Sequence, residues 1–102
     1  MKKVQIIRQG DVFIKLHQDK PADAEMRKDK TLALGEVTGH HHTILTQTAE
    51  VYGVMEGVQW VVAKEESALA HQEHDTVTLP VGTHEIVIQR EYSPEAERRV
   101  LD

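Results

Sequence analysis

A chain of 102 residues has room for one hydrophobic core and therefore one domain, 1–102. Its formal net charge is −5, with 17 acidic against 12 basic residues. That balance argues against nucleic acid as a partner, because nucleic-acid binding needs a basic footprint. Cysteine is absent, so disulfides and thiolate metal sites are excluded, and any transition metal must be held by His and carboxylate groups with water.

The opening run MKKVQIIRQGD lacks the apolar length of a signal peptide, and no stretch is long enough to span a membrane. The expectation is a cytoplasmic protein. Val4 to Arg8 and Val12 to Leu16 alternate apolar and polar residues around Gln9-Gly10-Asp11, which reads as strand, tight turn, strand. Residues 18–30, QDKPADAEMRKDK, read as an exposed loop, with a short helix after Pro21 as the competing reading.

Thr31 to Val37 resumes strand character, and His40 to Thr46 follows after Thr38-Gly39. Val51 to Met55 and Val58 to Val62 flank Glu56-Gly57, a hairpin in which the glycine is expected to supply the positive φ. Ala68 to Gln72 and Thr76 to Leu79 are short strands. Pro80-Val81-Gly82 is a turn, and His84 to Tyr92 a long alternating strand. The tail 93–102 reads either as a helix start at Ser93-Pro94-Glu95 or as a closing strand over Arg99-Val100-Leu101. About eight to ten short strands with frequent turns indicate an all-β fold, a small barrel or sandwich. Aromatic residues are few, so the core must be built from Val, Ile and Leu.

The chemistry lies in the histidines. Three of the seven are consecutive, His40-His41-His42, and His71, His74 and His84 fall in one later window. In a strand, residues i and i+2 share a face, so His40 and His42 can chelate one ion while His41 points away. His71 and Glu73 share a face if their strand continues, and His74 joins them only if the chain turns near His74-Asp75. Two clusters about 30 residues apart suggest one divalent-metal site with His40, His42, His71 and His74 as ligands, drawn from far sides of one barrel. Fe, Mn, Zn and Ni all suit such donors. Glu73 is the candidate catalytic group, as a ligand, a partner of a ligand or a general base. Arg90 and Tyr92 share a strand face and are candidates for binding an anionic substrate; an edge strand with a packed Tyr is the favoured alternative.

Two resemblances accompany these residues. Gly35, His40-x-His42, Asp75 and Pro80-x-Gly82 resemble in part the two motifs of cupins, small metal-binding β-barrels. The resemblance implies a cupin-like barrel with a metal in its mouth. The chain departs from that pattern: Glu50 lies too far along to be the first motif's carboxylate, Glu85 stands where the second motif has His, and the Asn is missing. More of the chain is covered by the frame QGDV, GEVTGHxH and HxEHxxxxLPxGxxxxxxQREYxP, which resembles a family of small uncharacterised proteins of bacteria and their phages. That resemblance implies that His40, His42, His71 and His74 belong to a shared frame, whereas the position of His84 is often aromatic. A third likeness is slight. His41-x-Thr43 and His74-x-Thr76 are similar to the paired H-x-T motifs of two-histidine phosphoesterases, in which one His acts as base, the other as acid, and the hydroxyls hold phosphate.

The leading expectation is therefore a metal-binding β-domain that acts as a metal-dependent enzyme on a small molecule. The alternatives are a non-catalytic binding or inhibitor protein with a structural metal, whose ligand is a small molecule or a partner protein, and a metal-free phosphoesterase acting on RNA ends or cyclic nucleotides. Whether the chain is an enzyme is open at this stage. Exposed strand edges make a homodimer conceivable.

Overall fold

The computed structural model describes residues 4–34, 40–72 and 74–89. Nine strands are present among them: β1 (Ile6–Gln9), β2 (Val12–Lys15), β3 (Thr31–Leu34), β4 (His41–Ile44), β5 (Glu50–Gly53), β6 (Gln59–Ala63), β7 (Ser67–Ala70), β8 (Val77–Leu79) and β9 (Gly82–Ile88). The alternation read from the sequence is the cause. In β2 and β6, buried and half-buried residues alternate along the strand, so each strand gives one face to the core.

The strands form two antiparallel sheets, not one closed barrel. One has the order β1-β2-β9-β6-β5 and the other β3-β4-β7-β8. Both sheets feed a single apolar core. Val12 and Ile14 of β2, Val51 of β5, Val61 of β6 and Ile86 of β9 meet Leu32, Ile44, Leu69 and Leu79 of the other sheet. β9 is the centre of the larger sheet, pairing with β2 on one side and β6 on the other.

Gly10 has φ +59 at the first of the two residues joining β1 to β2, where a II′-type hairpin turn needs a residue free to adopt positive φ. The β5–β6 hairpin departs from expectation. Its positive φ falls on Glu56 (φ 64) and not on Gly57. Glu56 is held there by its backbone N–H, which donates to the Leu32 carbonyl at 3.0 Å, and by its carboxylate, which accepts from the Leu34 N–H at 2.8 Å. Residues 18–30 form no helix. Met26 bridges to Tyr52, and the Arg27 N–H donates to the Val51 carbonyl at 2.7 Å, so this segment lies along the edge of β5. Among the described residues, no helix is long and apolar enough to cross a membrane.

Candidate metal centre

β4 and β7 are hydrogen-bonded neighbours, with Thr43 opposite Ala70. The second histidine cluster therefore comes from the adjacent strand, not from the far side of the domain. Continuing that register by one residue puts His42 opposite His71. Their ring centroids are 4.3 Å apart. His74 reaches the same place because β7 ends at Ala70 and the chain bends before β8. Its ring lies 4.6 Å from His71 and 6.1 Å from His42. His40, just ahead of β4, lies 5.6 Å from His71. The four histidines singled out in the sequence thus form one group, spread from the buried His42 to the exposed His74.

His41 goes the other way. Its Nδ1 is 2.6 Å from the Thr43 hydroxyl, and its backbone N–H donates to Gln72 Oε1 at 2.8 Å. His84 is remote from the group in its contacts. It is fully buried, its Nε2–H donates to the Pro80 carbonyl at 2.7 Å, and its Nδ1 accepts from the His17 N–H at 3.0 Å. Burial pushes its pKa below the ordinary imidazole value; the Pro80 bond opposes that shift and the charge on His17 adds to it. The surroundings of His84 therefore favour its neutral form. Glu73, Arg90, Tyr92 and the tail 93–102 lie outside the described residues.

Three residues with no role assigned from the sequence also line the group, all from the β1–β2 turn. Gln9 is buried, and its amide Nε2 donates to the carbonyls of Leu69 and Asp75, both at 2.9 Å. Its Oε1 lies 2.8 Å from His42 Nδ1. Asp11 Oδ1 lies 3.4 Å from His42 Nε2. A Cβ on Gly10 would stand 2.8 Å from His74 Nε2 and 3.3 Å from His42 Cε1, so glycine is what lets the turn approach the imidazoles. The motif QGD was visible in the sequence, but nothing in strand periodicity says that β1 will end against β7 and β8 of the other sheet.

The group has the donors for a borderline divalent metal. The His42, His71 and His74 rings crowd within 4.3–6.1 Å of one another, centroid to centroid. Among the described residues, no three His, Asp or Glu side chains stand as a finished cage, so capture of an ion requires side-chain rotation.

Fold and site together define a small all-β domain with a histidine cluster at the junction of its two sheets. The chain belongs to the DUF8820 family, a domain of unknown function, whose family model matches residues 8–89. Searches of the curated proteins and of the solved structures gave no match.

Proposed function

We propose that the chain binds one divalent transition-metal ion through His42, His71 and His74, with His40 beside them. The observation that carries this reading is the convergence of four imidazoles, carried by two adjacent strands and the chain at their ends, on one place. Three imidazole ligands leave coordination positions for water and a small molecule, as in catalytic sites, and the exposure of His74 gives such a molecule access. Metal-dependent chemistry on a small molecule in the cytoplasm is the activity we assign. With His40 as a fourth ligand the ion would instead be closed in, and the chain would be a binding or inhibitor protein with a structural metal. The phosphoesterase reading has less support, because His41 bonds Thr43 and Gln72 on the opposite face of β4 from His42.

The test is elemental analysis of protein made without a tag, followed by titration with Fe(II), Mn(II), Zn(II) and Ni(II). One equivalent of a single ion is expected. His42→Ala and His71→Ala should abolish uptake, and His41→Ala should leave it intact. Substoichiometric metal that none of the four ions restores would overturn the reading.

A further inference from the structure

The β1–β2 turn meets the histidine cluster with a carboxylate and a buried amide whose hydrogen bonds decide the chemistry of His42. Both contacts of Gln9 Nε2 are to carbonyl oxygens, which only accept, so the orientation of the amide is settled. Oε1 is then the atom facing His42 Nδ1 at 2.8 Å, and Nδ1 must carry the proton. In neutral His42 the lone pair is therefore on Nε2. That nitrogen faces Asp11 Oδ1 at 3.4 Å, longer than an ordinary hydrogen bond. Two donor atoms bound about 2.0–2.1 Å from one tetrahedral ion stand about 3.4 Å apart. A lone pair and a carboxylate oxygen at this separation can both reach one cation.

Resting on the metal reading above, we propose that the Gln9-Gly10-Asp11 turn completes the site. Gln9 is a positioning residue that fixes His42 as the Nδ1–H tautomer, with Nε2 as the ligating atom. Asp11 is the carboxylate ligand, and Gly10 is the spacer that lets both reach the imidazoles. The donor set is then imidazole nitrogen plus one carboxylate oxygen. Such a set suits Fe(II), Mn(II), Zn(II) or Ni(II) and disfavours Cu(I), which prefers sulfur. The partner of His42 is a neutral amide, so among the described residues Asp11 supplies the negative charge at the ion and none comes from behind the imidazole.

Two measurements test this separately. The first is long-range 1H–15N correlation on metal-free protein at about pH 8, above the ordinary imidazole range. His42 should appear as the Nδ1–H tautomer, and Gln9→Leu should release it toward Nε2–H. An Nε2–H tautomer in the unaltered protein would overturn the role of Gln9 whether or not metal binds. The second is calorimetric titration with Zn(II). Asp11→Asn should weaken binding at least tenfold while keeping the midpoint of urea unfolding. Unchanged affinity in Asp11→Asn, with the unaltered protein still taking one equivalent, would remove Asp11 from the site and leave the metal reading standing. An unaltered protein that takes up no ion would sink the metal reading and Asp11's part in it, while the tautomer of His42 would still decide the role of Gln9.

Discussion

At the scale of single residues, the seven histidines do different work because their surroundings differ. His42 sits at 2 % exposure with both ring nitrogens facing polar groups of the β1–β2 turn. His84 is buried in the larger sheet, between a carbonyl it donates to and an N–H it accepts from. Protonating His84 would place a second N–H against the His17 N–H, inside the core. The folded pKa therefore lies below the unfolded value of about 6.5, and in the window between the two the unfolded chain binds more protons. The stabilising effect of neutral His84 is fully present above about pH 6.5 and is lost as pH falls through the folded value. Urea unfolding at a series of pH values should show stability declining below that point. His84→Gln, which removes the titrating group, should flatten the decline. Groups far from His84 are the same in both proteins, so the difference reports His84 and its contact with His17. Parallel curves for the two proteins would show that His84 is not held neutral by the fold.

At the scale of elements, the β5–β6 hairpin has its strain where the sequence did not announce it. Gly57 looked like the turn glycine because it follows Glu56 at the centre of a symmetrical apolar frame. Glu56 takes the positive φ instead, since two hydrogen bonds to β3 hold it there, and contacts with another strand are invisible to local pattern. Gly53 is the glycine the hairpin cannot replace. It has φ +103, and a Cβ there would stand 2.3 Å from the Val58 carbonyl oxygen, whereas a Cβ on Gly57 would meet its nearest atom, the Val54 oxygen, at 3.3 Å. Gly53→Ala should therefore cost about 3 kcal/mol or more, and Gly57→Ala no more than about 1 kcal/mol. Chemical denaturation of the two variants gives the comparison; equal losses would contradict this geometry. The same divide between local and long-range information runs through the fold. Alternation in Val12-Phe13-Ile14-Lys15 and in Gln59-Trp60-Val61-Val62 makes those strands legible from sequence. It does not say that β9 lies between β2 and β6, or that β4 lies beside β7. The histidine cluster was legible because His40-x-His42 and His71-x-x-His74 are dense in a chain with few other histidines. Gln9 and Asp11 were not, since a Gln and an Asp flanking a turn glycine look the same whether the turn faces water or a histidine cluster.

At the scale of the molecule, the cluster stands where the two sheets meet. The Gln9-Gly10-Asp11 turn belongs to the five-stranded sheet, while His42 on β4 and the β7–β8 connection belong to the four-stranded one. The Gln9 amide already joins them through the Leu69 and Asp75 carbonyls. An ion bound there would link segments sixty or more residues apart in sequence, an arrangement that exists only in the folded chain. A ligand of the folded state alone adds about 2.7 kcal/mol of stability at a free concentration of one hundred times its Kd. For a domain of this size, each kcal/mol moves the thermal midpoint by about 4–8 °C. Saturating Zn(II) should therefore raise the midpoint by roughly 10 °C or more. The rise should persist in His41→Ala and vanish in His42→Ala, and Mg(II), which takes oxygen ligands and keeps its waters, should not produce it. If Zn(II) binds stoichiometrically yet leaves the midpoint unmoved, the ion binds the unfolded chain as well as the folded one, and the junction of the sheets is not its site.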